Sequence, residues 1–273
     1  MSTGTAEVSE TELIAETALS SGAEPASRAE GALVDDEGPL YARIADYVRE
    51  RVYSKEWGVG EPIPSENDLR DMLGVARGTV QKAIRALVDE GLLVQQRGRG
   101  TFVTQPLMAR PSTTRLLSFA ESMDAQDLPY QTRVVEQRIE PAGKTCARAL
   151  GIAPGAKHLF LMRVRTLDNR PVMLIESHLN LDACPGLQNA GFENEGVFAA
   201  VERTSGRAVG RCEMSYSARV AGRSRGRWLE CDEHAPVLNI DQLVRLDDGT
   251  PFEWGSVWLP ANRCVILSDT VRA

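Results

Sequence analysis

Apolar residues recur at helical spacing three times in the N-terminal half, and each stripe is bounded by residues that start or stop a helix. The first stripe follows Pro39, a favourable first-turn residue, and comprises Leu40, Ile44, Tyr47, Val48 and Val52. The second follows Ser65, which can cap a helix together with Asp68, and ends at Gly74. The third ends at Gly91 and comprises Val80, Ala83, Ile84, Leu87 and Val88. The pattern predicts three short helices.

A basic hairpin is predicted to follow the third helix. Residues 92–103 form two strand-like runs around the turn Arg97-Gly98-Arg99-Gly100, whose glycines permit positive φ. The polar face of the third helix carries, at i, i+4 and i+8, the side chains of Arg77, Gln81 and Arg85. Residues 74–88 and 92–103 together hold five Arg or Lys and no acid. Three helices and a basic hairpin predict a winged helix-turn-helix that binds nucleic acid.

The overall charge does not argue against this interpretation. The chain carries a net charge of -7, but its first 38 residues hold nine Asp or Glu against one Arg. This segment has no aromatic residue and is rich in Ala, Ser, Thr, Glu and Gly, so residues 1–38 are predicted to be a disordered acidic tail. A helical patch around residues 11–19 is conceivable. The simplest role is a solvated tail, although an acidic tail could also compete with DNA for the basic face.

Beyond residue 113 the pattern changes from helical to strand-like. Strands are predicted at residues 132–139, 159–167, 172–179, 209–220, 237–246 and 252–259, with helices at 195–204 and 223–231. The first half of this region echoes the second at a spacing of 79 or 80 residues: Leu150, Val164, Arg165, Asp168 and Pro171 recur as Leu229, Val244, Arg245, Asp248 and Pro251. A mixed α/β domain with pseudo-twofold halves around an antiparallel sheet is predicted, and the chain as a whole is α+β.

These patterns divide the chain into a tail, two domains and a linker. The predicted DNA-binding domain spans residues 39–104, and the sheet domain spans residues 114–271. Between them, residues 105–113 contain two prolines and are predicted to be a linker.

Little in the composition points to a cofactor, a metal or a membrane. Five widely spaced cysteines fit reduced thiols better than a disulfide framework, and three scattered histidines give no metal signature. The N-terminus lacks a secretory pattern and no stretch approaches a transmembrane length, which makes the cytoplasm the expected location. No cofactor is expected.

One pair of residues is a candidate anion site. Arg163 and Arg165 are two apart on a predicted strand, so their side chains share a face and could hold one carboxylate or phosphate. Spacing alone equally allows a solvated sheet face with salt bridges.

The N-terminal motifs resemble the DNA-binding domain of GntR-type bacterial transcription regulators. The resemblance is carried by PLYARIADYVRERV, PSENDLRDMLGVARGTVQKAIRALVDEGLL and QRGRGTFV, which occur in the family's order. The C-terminal half resembles the UTRA effector-binding domain of the HutC branch, which is related in fold to chorismate lyase. That likeness is carried by RVRTLDNRPVMLIESHL and VRLDDGTPFEW.

The N-terminal resemblance implies a homodimeric repressor that binds an inverted-repeat operator on double-stranded DNA. The residues expected to contact DNA are Ser65, Asn67, Arg77, Thr79, Gln81, Lys82, Arg97, Gly98 and Arg99. Arg77 can donate bidentately to guanine and Gln81 can pair with adenine, while Thr79 and Lys82 suit phosphates. For each, the alternative is a solvated helix face. Relatives often carry Arg, Ser and Arg where this chain has Gln81, Ala76 and Asn67, so its operator is expected to differ.

The C-terminal resemblance implies a small anionic effector. The residues expected to bind it are Arg163, Arg165, Glu176 and Glu253; for the two glutamates the alternative is a structural ion pair. Phosphosugar binders usually carry a hydroxyl at the position of Gly196, another near Ala120 and a Tyr in place of Leu259, which disfavours an amino-sugar phosphate. The alternative function is an enzyme on the lyase-like fold carrying a DNA-binding head. No nucleophile-base, metal or phosphate-loop constellation supports it.

Overall fold

A computed structural model describes residues 38–109 and 118–266. The expectations for residues 1–37, including the helical patch at 11–19, lie outside the described residues, as do residues 110–113 of the predicted linker.

The N-terminal half is a three-helix unit with a β-hairpin. Its elements are α1 (Leu40–Tyr53), α2 (Glu66–Leu73), α3 (Arg77–Asp89), β1 (Leu93–Gln96) and β2 (Gly100–Val103). The three predicted stripes meet in one core, which includes Ile44, Val48, Leu69, Val80, Ile84 and Leu87. Strands β1 and β2 pair antiparallel. The chain entering α2 extends this hairpin, because the Ile63 amide donates to the Thr101 carbonyl at 2.9 Å.

The C-terminal half is built on a six-stranded antiparallel sheet. Its strands are β4 (Tyr130–Pro141), β5 (Lys157–Leu167), β6 (Arg170–Leu179), β7 (Val209–Val220), β8 (Pro236–Leu246) and β9 (Pro251–Pro260), arranged in the order β4-β5-β6-β9-β8-β7. Four helices and one 3-10 turn accompany them: α4 (Phe119–Asp124), α5 (Lys144–Leu150), α6 (Val197–Ser205), α7 (Gly222–Leu229) and the turn Leu187–Asn189. The predicted α+β class, with an antiparallel sheet, is confirmed.

The internal echo in the sequence corresponds to a repeat in the topology. In each half a long strand is followed by a short helix and then by a β-hairpin: β4-α5-β5-β6 and β7-α7-β8-β9. The echoed leucines, Leu150 and Leu229, end the two helices and are buried. The two halves join along β6 and β9, whose backbones approach closely at Gly255. A Cβ at this position would lie 2.4 Å from the Glu176 carbonyl oxygen, so only glycine fits without a shift of the backbone.

A short strand was not expected from the sequence. Residues Leu107–Ala109 (β3) pair in parallel with Cys264–Ile266 (β10). Part of the segment predicted as a linker is therefore hydrogen-bonded to the end of the C-terminal sheet domain.

The two faces of the large sheet carry different residues, because neighbouring side chains on a strand point to opposite sides. One face includes Leu159 and Leu161, which pack together with Phe252 against α6 residues such as Phe198. The opposite face includes Val164, Leu174 and Trp258, which pack against Leu229 of α7. Among the described residues, no helix is long and apolar enough to cross a membrane.

Candidate nucleic-acid interface and candidate ligand cavity

The polar face of α3 and the tip of the β1–β2 hairpin are exposed. Arg77 begins α3, and the predicted contact residues on this helix, Arg77, Gln81 and Lys82, are exposed, while Thr79 is half-buried. Arg97, Gly98 and Arg99 form the exposed hairpin turn, in which Gly98 has a φ of 74°. A residue other than glycine would be strained there.

The carboxylate of Glu66, on α2, contacts the side chains of Gln81 and Arg77 on α3. The Gln81 side-chain amide donates to Glu66 Oε2 at 2.9 Å, and Arg77 Nε lies 3.8 Å from the same oxygen. DNA would have to replace Glu66 as their partner. Sequence reasoning missed Glu66, because its contact with α3 depends on how α2 and α3 pack and not on any local pattern.

The two predicted contacts at the start of α2 differ in what their side chains do. Ser65 Oγ donates to Asp68 Oδ2 at 2.7 Å and accepts from the Asp68 amide at 3.2 Å, so this hydroxyl is occupied in a capping box. Asn67 is exposed. On α3, Lys82 Nζ lies 3.8 Å from the centroid of the Tyr41 ring of α1, a cation–π contact that orients this lysine.

A cavity of about 110 Å³ lies on the α6 side of the large sheet, with a mostly apolar wall and a charged end. Its charged and polar lining includes Arg163 and Arg165 of β5 and Glu253 of β9; its apolar lining includes Phe119, Ile175, Phe198, Ile240 and Val257. Tyr216 and Gln242, from β7 and β8, also line it. Sequence reasoning missed Tyr216 and Gln242, because no motif surrounds them. Only the fold brings residues of β7 and β8 to the same cavity as residues of β5.

The charged end of the cavity contains more positive than negative charge. Arg163 and Arg165 are each 3% exposed, and Glu253 is 2% exposed. A hydrogen-bond chain links Arg163 to Glu253, because Arg163 Nη2 donates to Ser177 Oγ at 3.1 Å and Ser177 Oγ donates to Glu253 Oε1 at 2.6 Å. The Nε atoms of both arginines are buried without a hydrogen-bond partner.

Burial and mutual repulsion act directly on these guanidinium groups. Burial, followed by the charge of Arg165, lowers the pKa of Arg163 to about 10. Burial also lowers the pKa of Arg165, against the attraction of Tyr130, Asp124 and Glu253. Both side chains remain charged at neutral pH, and a buried cation without a full set of partners is costly. The site is therefore suited to an anion.

Glu176, which is predicted to bind the effector, does not line this cavity. Ile175 and Ser177 point into the cavity side, which leaves Glu176 on the opposite face of β6. There its Oε2 accepts from Trp258 Nε1 at 2.8 Å and from Arg225 Nη2 at 2.9 Å. The structural ion pair, which was the alternative for this residue, is what the structure contains.

The positions where phosphosugar binders carry hydroxyls lie together beside the cavity. A Cβ built on Gly196 would lie 3.6 Å from the Ala120 Cβ, an ordinary contact distance. Gly196 immediately precedes Val197 and Phe198, which line the cavity. This part of the wall therefore offers no side-chain hydroxyl at either position.

Two family models match the chain. The UTRA domain matches residues 125–264, and the gntR family of bacterial regulatory proteins matches residues 40–103. The chain is 27% identical to the HTH-type transcriptional repressor NagR of Bacillus subtilis (strain 168), over 79% of this chain and 88% of that protein. It is 26% identical to the histidine utilization repressor of Pseudomonas putida, over 79% of this chain and 86% of that protein.

Solved structures share the fold. The crystal structure of PhnF from Mycobacterium smegmatis matches with a TM-score of 0.58 and 24% sequence identity, over 84% of this chain and 100% of that one. At this level of identity the likeness concerns the fold alone.

Proposed function

This chain belongs to the gntR family of bacterial regulatory proteins, as a member with a C-terminal UTRA domain, and we propose that it is a repressor whose operator affinity is set by a small anion. It is a DNA-binding transcription regulator. We assign DNA binding to residues 39–104 and effector binding to residues 114–271. The relatives named above are transcriptional repressors, which favours a regulator over an enzyme on the lyase-like fold.

The proposed DNA contacts rest on the exposed basic face. Arg77 and Gln81 lie within the first turns of α3, the part of a recognition helix that enters the major groove. Their donors suit guanine and adenine respectively, and Thr79 and Lys82 suit phosphates. Arg97, Gly98 and Arg99 are exposed at the hairpin tip, and we propose that they contact the DNA backbone or the minor groove. At the start of α2, Asn67 is exposed, whereas the Ser65 hydroxyl is occupied by its cap.

The single observation that carries the effector proposal is the buried charge imbalance in the cavity. Two guanidinium groups, each 3% exposed, face one buried carboxylate, and both Nε atoms lack a partner. An anion with one negative charge would neutralise the excess and accept the unused donors. The mostly apolar lining adds a requirement for an apolar or aliphatic portion. We therefore propose Arg163, Arg165 and Glu253 as effector-binding residues.

The assembly and location are part of the same proposal. Regulators with a helix-turn-helix bind the two halves of an inverted repeat as dimers, since operator symmetry mirrors protein symmetry. We propose that this chain acts in the cytoplasm as a homodimer in which each protomer contacts one half-site.

The test is a gel shift on the DNA upstream of the chain's own gene, repeated with a panel of small metabolites of matched size that differ in charge. We expect a discrete complex that one or more anionic compounds dissociate. A neutral or cationic compound that dissociates the complex while every anion fails would overturn the effector class. Failure to discriminate any genomic fragment from random DNA would overturn sequence-specific binding.

A further inference from the structure

A cysteine and two histidines from three different elements meet on the sheet face opposite the cavity. Cys146 lies on α5, His158 on β5 and His178 on β6, and their ligand atoms all lie within 4.8 Å of one another. His158 Nε2 and His178 Nδ1 are 2.8 Å apart. Cys146 and His158 are buried and His178 is half-buried. We propose that Cys146, His158 and His178 bind a divalent transition-metal ion that accepts thiolate and imidazole ligands, such as Zn²⁺.

The distances are close to those of a tetrahedral site. Metal–sulfur bonds of about 2.3 Å and metal–nitrogen bonds of about 2.0–2.1 Å place tetrahedral ligand atoms roughly 3.3–3.6 Å apart. The two imidazole nitrogens would separate by roughly half an ångström, and the sulfur would move inward by at most roughly 1.2 Å.

A carboxylate on the neighbouring strand lies beside the cluster, but it is not among the atoms within 4.8 Å of one another and would have to move inward to become the fourth ligand. Glu140 Oε1, on β4, lies 3.5 Å from His158 Nε2, while Glu140 Oε2 accepts from Arg138 Nε at 2.8 Å. One oxygen can therefore bind the ion while the other keeps its arginine, an arrangement that fixes the carboxylate. The thiolate and the carboxylate together would neutralise the two positive charges of the ion.

Protein partners alone leave this cluster incompletely satisfied. His158 is 1% exposed, and its Nδ1 makes no hydrogen bond of normal geometry, although the ring interacts with the Glu140 backbone. A bound ion or an ordered water is among the explanations for such a buried nitrogen.

Metal binding at this cluster requires the loss of one proton, from a thiol that holds it more tightly than an exposed cysteine does. Burial lowers the pKa of His158 and of His178, so both imidazoles are neutral at pH 7 and have a free lone pair. Burial, followed by the charge of Glu140, raises the pKa of Cys146 to about 11. The ion therefore replaces the thiol proton, which passes to solvent as the sulfur–metal bond forms, and no electron is transferred.

The competing account is a metal-free hydrogen bond between the two histidines. His178 stacks on Trp254 with the ring centroids 5.1 Å apart, so packing against this aromatic ring could hold His158 and His178 together without any ion. The two accounts differ in whether a thiolate ligand forms.

Cobalt(II) substitution in the full chain distinguishes them. Tag-free protein, reduced and freed of metal with a chelator, would be titrated with Co²⁺ in equilibrium dialysis and followed by absorbance. We expect one cobalt per chain, a thiolate-to-cobalt charge-transfer band that excess Zn²⁺ removes, and quenching of tryptophan fluorescence through Trp254. Fully reduced protein that binds no cobalt, or binds it without a charge-transfer band, would overturn the site.

Matched variants locate the ligands. Cys146→Ser and His178→Gln should each weaken cobalt binding at least tenfold, and Cys146→Ser should abolish the charge-transfer band. Cys231→Ser, at a half-buried thiol outside the cluster, should leave both unchanged. Because His178 is half-buried, its variant remains informative if Cys146→Ser does not fold. Loss of the band in Cys231→Ser, or full affinity in His178→Gln, would place the metal elsewhere and overturn the proposal.

Discussion

Arg163 and Arg165 are more deeply buried than their sequence pattern required. Spacing on a strand predicted only that the two side chains share a face, and left open whether that face is solvated. In the structure both are 3% exposed, and Arg163 is linked to the buried Glu253 carboxylate through the Ser177 hydroxyl. The resulting excess of buried positive charge is the basis for the proposed anionic effector.

The partner carboxylate should be important for stability. We predict that Glu253→Gln lowers the free energy of unfolding by about 3–5 kcal/mol, because it leaves two buried guanidinium groups without a counter-charge. Chemical denaturation followed by circular dichroism measures this. Glu213→Gln, at a half-exposed carboxylate of β7, is the control and should change stability by no more than about 0.5 kcal/mol. Equal stabilities of the two variants would contradict the charge account.

Arg77 is the residue on which sequence-specific binding should depend most. We predict that Arg77→Ala lowers specific operator affinity by about 10–100-fold, since a bidentate contact to guanine contributes about 1–3 kcal/mol of discrimination. The fold should remain intact because the side chain is exposed. Gel shifts on operator and on random DNA measure the loss. Arg223→Ala, at a 90% exposed arginine of α7, is the control. Unchanged operator affinity in the Arg77 variant would refute the assignment of α3.

At this scale the sequence predicted residue types better than the faces they occupy. Arg163 and Arg165 share the cavity side as their spacing predicted, but Glu176 lies on the other side. The face of β6 depends on its register with β5, in which Arg163 pairs with Ile175. A shift of one residue would reverse every side chain, and no local signal in the sequence fixes that register.

Among the elements, α2 begins with a capping motif that stabilises the helix. The pattern of Ser65 and Asp68 predicted a helix cap, and the structure contains a complete capping box. We predict that Ser65→Ala lowers the free energy of unfolding by about 1 kcal/mol, the usual contribution of such a cap. Thermal and chemical unfolding measure the change. Ser65→Thr, which keeps the hydroxyl, should restore most of the stability; if it unfolds like the alanine variant, the cap is not the cause.

The hairpin tip should contribute to affinity through charge alone. We predict that Arg97→Ala makes the slope of log affinity against log salt concentration shallower by about 0.9, the value for one lost phosphate contact. The effect should be similar on operator and on random DNA, because phosphates carry no sequence information. Fluorescence anisotropy across a salt series measures both slopes. A variant that loses discrimination between the two DNAs while keeping the salt slope would show that Arg97 contacts bases.

Element types were predictable because each is encoded by a local repeat of apolar positions. All six predicted strands and both predicted C-terminal helices occur, with boundaries that differ by a few residues. The pairing of β3 with β10 was not predictable, because each has three residues and their partners lie more than 150 positions apart. Short strands of this kind are specified by tertiary contacts, which produce no periodic pattern of apolar residues in the sequence.

At the scale of the whole molecule, the N-terminal half is the DNA-binding domain and the C-terminal half is the effector-binding domain. The basic face is local to α3 and the hairpin, whereas the proposed anion site lies in the sheet domain. Binding of an anion can alter DNA affinity only if it binds the DNA-competent arrangement and the released arrangement with different affinities. The parallel pairing of β3 with β10 ties the segment after the hairpin to the sheet domain and gives such coupling a physical connection.

The most direct test compares release from DNA in native protein and in Arg163→Met, using the anion that dissociates the native complex. We predict that the variant binds operator with native affinity but needs about 10–100-fold more anion for release, since a charged hydrogen bond contributes about 1.5–3 kcal/mol. Arg211→Met, at a 73% exposed arginine of β7, should behave like native protein. Release of the Arg163 variant at the native anion concentration would contradict the account.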